Sequence, residues 1–144
     1  MILIKDDNTK EDNLLYKWIN ASNNHTPESI LSLLSDDISI YDTIYGILNG
    51  KENVKEFLYD LFHAFPNIHM KLISIISFTK KVIAAELVIR GNQFGEFNGN
   101  PGLGNSFTIY SVFIFKLNKS GKILKIKIYY DSRSLYRQLQ ILKL

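Results

Sequence analysis

Apolar side chains recur at helical spacing in three stretches of the first half of this 144-residue chain. Over residues 51–64 they repeat every three or four positions, as on one face of an amphipathic helix, and the stripe consists of Val54, Phe57, Leu58, Leu61, Phe62 and Phe65. Residues 11–24 carry a shorter stripe that includes Trp18. Thr26-Pro27-Glu28 has the N-cap, first-turn proline and first-turn acid that begin a helix, which we expect to end near residues 35–36.

Beyond residue 67 the pattern changes to long, β-branched segments. We predict one strand over 38–44 and four more near 68–78, 81–91, 106–117 and 122–130, with residues 46–50 as a connection. Helices followed by a run of antiparallel strands predict a single α+β domain over residues 1–144. In this fold class the N-terminal helices pack on a strongly curved, mostly antiparallel sheet, which forms a cone-shaped cavity.

Composition excludes several classes of function. There are no cysteines, so a disulfide framework, a thiol nucleophile and a cysteine-based metal site are absent. His25, His63 and His69 lack metal-ligand spacing, and the formal net charge of +3 is scattered. The N-terminus is short and acidic, unlike a signal peptide, and no apolar run is long enough to cross a bilayer. We expect a soluble, cytoplasmic protein that binds no metal, no nucleic acid and no membrane.

Asp131 is the candidate for acid/base chemistry, because it stands where the last predicted strand ends and a short helical pattern begins. Strict alternation puts Asp131 on the face of Lys127 and Tyr129, away from the apolar face unless a bulge intervenes. Aspartate is also a favoured N-cap residue. Its carboxylate therefore either enters the cavity or caps the helix, and both interpretations stay open.

Other side chains are candidate ligand contacts. Trp18 belongs to the apolar stripe of the first helix, where it packs in the core, although its indole N–H could reach a ligand. Tyr41 and Asp42 fall on opposite faces of the first strand, so at most one of them lines a pocket readily. Glu86 shares a strand face with small and apolar residues, which is either a pocket wall or a solvated or dimer-facing side. The glycine-rich segment 91–105 is expected to form a wide turn or flap at the cavity mouth.

In the order and spacing of its segments the chain resembles the SnoaL-like polyketide cyclases of the nuclear-transport-factor-2-like (cystatin-like) superfamily. The matching segments are Asn49–Phe57, Ala64–Asn67, Ala84–Gly91, Gly95–Gly99 with Gly104, Gly121–Ile123, Tyr130-Asp131 and Arg137–Leu139. The resemblance implies that Asp131, at the end of the last strand, is the general acid/base of a cofactor-free aldol condensation. It also implies a homodimer paired through the outer sheet face. These cyclases carry a histidine late in the chain, which this chain lacks, and Gln93 stands where many members have another.

The sequence thus predicts a SnoaL-like protein that cyclises or isomerises a small apolar carbonyl compound without a cofactor. Asp131 is the predicted catalytic residue, and the predicted substrate contacts are Trp18, Tyr41, Phe57, Phe62, Glu86, Gln93 and Tyr110. The missing late histidine and the possible capping role of Asp131 support an alternative, a non-catalytic module of the same fold that binds a small ligand or dimerises.

Overall fold

Residues 13–141 are described by a computed structural model, and over this range the chain forms four helices and six strands. In chain order these elements are α1 (Leu14–Asn23), α2 (Pro27–Leu31), β1 (Leu34–Asp42), β2 (Gly46–Asn49), α3 (Lys51–Ala64), β3 (His69–Phe78), β4 (Val82–Asn92), β5 (Ser106–Leu117), β6 (Ile123–Tyr130) and α4 (Ser132–Gln138). Helix α3 has the bounds that its apolar spacing predicts, and β3 to β6 agree with the predicted strands to within one residue at each end. The first two residues of the predicted helix 11–24 lie outside the described range.

The six strands form one curled sheet in the order β2-β1-β6-β5-β4-β3. Every neighbouring pair is antiparallel except β1 and β6, which are parallel. Register shifts interrupt the β3–β4, β5–β6 and β1–β6 pairs, and such irregularities increase the local twist and bend of a sheet. The predicted α+β architecture, with N-terminal helices on a curved and mostly antiparallel sheet, is confirmed.

Three local predictions are wrong, for the connection over 46–50, the end of α2 and the start of β1. Residues 46–49 form strand β2, paired antiparallel with β1 from Ser39–Asn49 to Asp42–Gly46, although four residues are too few to show an alternation of their own. Helix α2 is a single turn that ends at Leu31, and β1 begins four residues earlier than predicted. Leu34, the first residue of β1, pairs with Ile123 of β6. This contact with a strand from the far end of the chain extends β1 into residues that were predicted to be helical.

The core lies between the concave face of the sheet and helices α1 to α3. Alternate residues of the central strands are buried on this face, and those of β4 and β5 are Ile83, Ala85, Leu87, Ile89, Phe107, Ile109, Ser111, Phe113 and Phe115. Trp18 of α1 packs edge-on against Phe113 and Phe115, with ring centroids 6.3 and 5.4 Å apart. Within residues 13–141, no helix has the length and apolar character needed to cross a membrane.

The glycine-rich segment between β4 and β5 is packed against α3 and is no open flap. The backbone N–H groups of Phe94 and Gly95 both donate to the carbonyl oxygen of Ala64, at 3.0 and 3.1 Å, and so satisfy the last residue of α3. Phe97 is buried, with its ring 5.1 Å from that of Phe65. The segment therefore seals one end of the core.

Candidate active site

A cavity of about 80 Å³ lies between the concave face of the sheet and the helices. Most of its wall is aliphatic or aromatic, with Phe57, Phe113 and Ile128 among its residues. Five side chains with a polar atom also line it, namely Trp18, Ser22, Asp42, Tyr45 and Tyr130. Most lining residues are buried, whereas Tyr45, Leu61, Phe62 and Tyr130 are half-exposed. These four side chains are the least buried part of the wall.

The most unusual group in this wall is the carboxylate of Asp42, which is only 4% exposed. Its Oδ2 atom accepts three hydrogen bonds, from the Tyr130 hydroxyl at 2.8 Å and from the backbone N–H groups of Ile44 and Tyr45 at 2.9 and 3.1 Å. Among the described residues, none donates a hydrogen bond to Oδ1. The three donors stabilise negative charge on Oδ2, and the second oxygen keeps its lone pairs uncommitted.

Strand alternation explains why a carboxylate faces this cavity. Ile38, Ile40 and Asp42 are the buried positions at the end of β1, so Asp42 continues an inward-facing apolar series. The parallel pairing sets Asp42 beside Ile128 of β6, and Tyr130 takes the next inward position on that strand. β1 ends at Asp42, and the turn that follows directs two backbone N–H groups to its side chain, as in an Asx turn.

Burial controls the ionisation of the two tyrosines beside Asp42. Loss of solvent, reinforced by the charge of Asp42 and by the hydrogen bond to it, raises the pKa of Tyr130 well above its ordinary value of 10.0. Burial, followed by the charge of Asp42, raises the pKa of Tyr45 to about 12. Both hydroxyls consequently keep their protons at physiological pH, and Tyr130 stays a hydrogen-bond donor to Asp42.

Tyr130→Phe is expected to make stability less sensitive to alkaline pH. The folded-state pKa of Tyr130 lies above the unfolded value of 10.0, so the unfolded chain releases this proton first. The contribution of the protonated Tyr130 hydroxyl to the free energy of unfolding is complete below about pH 10 and decreases above it, by about 1.4 kcal/mol per pH unit. Urea unfolding at about pH 9, 10 and 11 measures this slope, which should be smaller by that amount in the variant. A slope in Tyr130→Phe equal to that of the wild type would contradict this assignment.

Asp131 lies outside the cavity. It is exposed, it is the N-cap of α4, and its Oδ1 accepts a hydrogen bond from the backbone N–H of Ser134 at 3.1 Å. Tyr130 takes the inward position at the end of β6, so the next residue points outward. The capping interpretation of Asp131 is confirmed, and the structure does not support a cavity position for its carboxylate.

The predicted substrate contacts divide into two groups. Trp18, Phe57 and Phe62 line the cavity. Tyr41, Glu86 and Tyr110 occupy the outer face of the sheet instead: Tyr41 packs near Tyr129, Glu86 accepts a hydrogen bond from Ser74, and Tyr110 is exposed. The inward positions of their strands are the alternate ones, so strand parity excludes all three from the cavity wall.

Gln93 is buried, and its side chain makes its hydrogen bonds within the glycine-rich segment. Its amide nitrogen donates to the carbonyl oxygens of Gly95 and Asn100, both at 3.0 Å. Gln93 thus holds that segment closed and does not line the cavity.

Of the pair Tyr41 and Asp42, sequence analysis named Tyr41 as the substrate contact, although a signal that favours Asp42 is present. In the series Ile38-Ser-Ile-Tyr-Asp42, Asp42 lies on the same strand face as the two isoleucines. Alternation alone would therefore have assigned its carboxylate to the buried face. Its partner Tyr130 is 88 residues away in the chain, and only the parallel β1–β6 pairing brings the two together.

Within residues 13–141, no three His, Asp or Glu side chains are grouped as a metal site would require. His25, for example, makes its contact with the carbonyl oxygen of Ile68, 2.7 Å from Nε2.

Comparison with solved structures shows which fold this is. A candidate SnoaL-like polyketide cyclase from Jannaschia sp. CCS1 superposes with a TM-score of 0.82 at 14% identity, over 99% of this chain and 100% of that one. A protein with a ketosteroid isomerase-like fold from Catenulispora acidiphila, in complex with trimethylamine, gives 0.75 at 17% identity, over 90% and 94%. A nuclear-transport-factor-2-like protein of unknown function from Exiguobacterium sp. 255-15 gives 0.68 at 21% identity, over 83% and 98%.

These identities establish the fold alone, and a comparison with curated proteins gives no match. The model of the SnoaL-like polyketide cyclase family matches residues 13–139, which is most of the chain. The protein therefore belongs to the SnoaL-like polyketide cyclase family.

Proposed function

We propose that this protein is a cyclase- or isomerase-type enzyme that moves a proton next to a carbonyl group, with Asp42 as its acid/base. The observation that carries the proposal is the buried Asp42 carboxylate in an apolar cavity, with one oxygen held by three donors. Membership of the SnoaL-like family supports this class of chemistry. The proposal transfers to Asp42 the role that sequence analysis gave to Asp131.

The chemistry follows from the two unlike oxygens of Asp42. Oδ1 takes the proton from the carbon next to the substrate carbonyl, and the C–H electron pair forms the C=C bond of an enolate. The enolate carbon attacks a second carbonyl in the same molecule, which closes a ring. Alternatively, in a substrate with a C=C bond next to the acidic carbon, a dienolate forms and its γ carbon takes the proton from Asp42, which moves the double bond and isomerises the substrate. In the first case the new alkoxide recovers the proton from Asp42, so the carboxylate is regenerated in both reactions. Tyr130 is a positioning residue that holds Oδ2.

The size of the cavity limits the substrate. Its free volume of about 80 Å³ is smaller than the roughly 150 Å³ that accommodates benzene in a protein interior. A compound of a few heavy atoms fits without rearrangement, and a larger one requires the half-exposed Tyr45, Leu61 or Phe62 to move. We therefore propose a small, mostly apolar carbonyl compound as the substrate, with no cofactor.

Proton exchange tests this function without knowledge of the natural substrate. A set of small ketones is incubated with the protein in deuterated buffer, and NMR follows deuterium incorporation next to the carbonyl. The protein is expected to accelerate exchange over buffer for at least one ketone that binds in the cavity. Binding without any acceleration, for every ketone that binds, would contradict the enzymatic proposal.

A non-catalytic ligand-binding module is the second candidate function. It is favoured by the same hydrogen bonds, because they also give Asp42 a structural role in tying the turn after β1 to Tyr130 of β6. In that case Asp42 contributes to stability and the cavity only binds its ligand. The proton-exchange experiment separates the two candidates.

We also propose that the protein forms a homodimer through the outer face of its sheet. The centre of this face is apolar and includes the neighbouring residues Val88, Tyr110, Val112 and Tyr129, of which Tyr110 and Tyr129 are 67% and 43% exposed. Charges of both signs border it, with Glu86 on one side and Lys127 on another. A twofold axis can place this patch against the same patch of a second copy, with the acidic border of one copy facing the basic border of the other. The proposed partner is therefore a second copy of the chain.

Light scattering after gel filtration is expected to give about twice the 16.6 kDa mass of one chain. Val112→Asp, at the centre of the patch, should shift the population to monomer because it places a charge in an apolar interface. Ser120→Asp, in the exposed β5–β6 turn, is the control with the same change in charge and should stay dimeric. A monomeric wild-type protein would contradict the proposal.

A further inference from the structure

The indole N–H of Trp18 is a buried donor without a partner. Trp18 is 3% exposed, and its Nε1 is, among the residues described, the only fully buried side-chain polar atom that makes no hydrogen bond. A buried donor left in this state costs on the order of 1–3 kcal/mol, and native proteins rarely keep one without a reason. Trp18 also belongs to the cavity wall. Nε1 itself has almost no accessible surface in this structure, so a ligand acceptor reaches it when the indole or a neighbouring side chain shifts, and the hydrogen bond then offsets the cost.

Sheet register relates Asp42 to one of the two phenylalanines on which the indole ring of Trp18 packs. Asp42 of β1 pairs with Ile128 of β6, and Ile128 pairs with Phe113 of β5. Asp42 and Phe113 are thus two strands apart, or about 10 Å between backbones. Trp18 packs on Phe113. Trp18 and Asp42 both belong to the wall of this cavity.

Among the cavity-wall donors, which also include the hydroxyls of Ser22 and Tyr45, Tyr130 is already engaged and Trp18 is the fully buried one without a partner. The hydroxyl of Tyr130 gives its only proton to Asp42 and stays protonated, so it has none for a ligand while that bond exists. The indole N–H can only donate, and it has no competing acceptor among the described side chains and backbone.

We propose that Trp18 is the residue that recognises the ligand's oxygen, so that the cavity selects compounds with an sp² oxygen acceptor over hydrocarbons of the same shape. Recognition of the oxygen by Trp18 does not depend on the proposed function. A catalytic role for this hydrogen bond does rest on it: there, the bound oxygen is the carbonyl oxygen of the ketone that Asp42 deprotonates, and Trp18 stabilises the enolate oxygen. The ligand class is a small ketone, aldehyde or ester with an acidic C–H.

The protein contains one tryptophan, so the indole gives a single N–H signal in an NMR spectrum of the ¹⁵N-labelled protein. The probes are cyclopentanone and methylenecyclopentane, which share a shape, require the same movement of Tyr45, Leu61 or Phe62 to enter, and differ in whether oxygen or CH₂ is double-bonded to the ring. We expect cyclopentanone to move the indole proton downfield and to bind about tenfold more tightly, since it satisfies a buried donor. Methylenecyclopentane should bind without the downfield shift.

In Trp18→Phe, the ratio of the affinity for cyclopentanone to that for methylenecyclopentane should fall to about one, while methylenecyclopentane still binds. Asp131→Asn, at an exposed position outside the cavity, is the control and should keep the preference. Equal affinities in the wild type, a ketone that leaves the indole signal in place, or a preference that survives in Trp18→Phe would each overturn the inference. A preference that is present in the absence of any proton exchange would support Trp18 as the recognition residue and reject only the enzymatic function.

Discussion

Asp42→Asn is expected to reduce proton exchange on a bound ketone by at least about 10²-fold, the usual contribution of a positioned acid/base. Asparagine has the shape of aspartate, and its side-chain oxygen can accept the same three hydrogen bonds from Tyr130, Ile44 and Tyr45. The fold and the affinity for the ketone should therefore survive while the base is lost. Deuterium incorporation, measured beside ligand titration and thermal unfolding, separates these effects.

Asp131→Asn is the matched control, because it makes the same chemical change at an exposed position. Asparagine is about as good an N-cap residue as aspartate, so stability and exchange should both stay near the wild-type values. Loss of exchange in Asp131→Asn with a normal rate in Asp42→Asn would return the catalytic role to Asp131. A normal rate in both variants would remove both carboxylates from the mechanism.

Gly102→Ala is expected to lower the free energy of unfolding by about 3 kcal/mol, the upper end of the usual overpacking range. A Cβ at this position would lie 2.3 Å from the carbonyl carbon of Phe94, 2.5 Å from its oxygen and 2.6 Å from the backbone nitrogen of Gly95. These atoms belong to the peptide between Phe94 and Gly95, whose two residues donate their backbone N–H groups to the end of α3, so the peptide cannot move without disturbing those hydrogen bonds. Urea unfolding measures the loss.

Gly99→Ala is the control in the same segment. A Cβ there meets nothing within 4 Å, but φ is +79°, so the substitution should cost only the roughly 1–2 kcal/mol of a left-handed conformation. Because Phe97 lies in this segment and lines the cavity, Gly102→Ala should also weaken ketone binding. Equal stability losses in the two variants would show that steric exclusion at Gly102 is unimportant.

The elements with strong local patterns could be predicted from the chain alone. Helix α3 and strands β3 to β6 are long enough for their periodicity to be unmistakable, and a stop signal such as Pro66 or a turn such as Asn118–Gly121 bounds them. The short elements could not be predicted so well. Strand β2 and the early start of β1 depend on pairing with strands that come from elsewhere in the sequence.

The candidate site shows the same division between local and distant information. Sequence alone determined an α+β fold with a cavity, an aromatic wall that includes Trp18 and Phe57, and the capping potential of Asp131, because each depends on periodicity or on immediate neighbours. Only the tertiary structure decided which carboxylate enters the cavity. Asp42 and Tyr130 meet because a parallel pairing joins β1 to β6 across 88 residues. Local patterns assign a face to each residue of a strand, but the folded sheet determines which residues meet on that face.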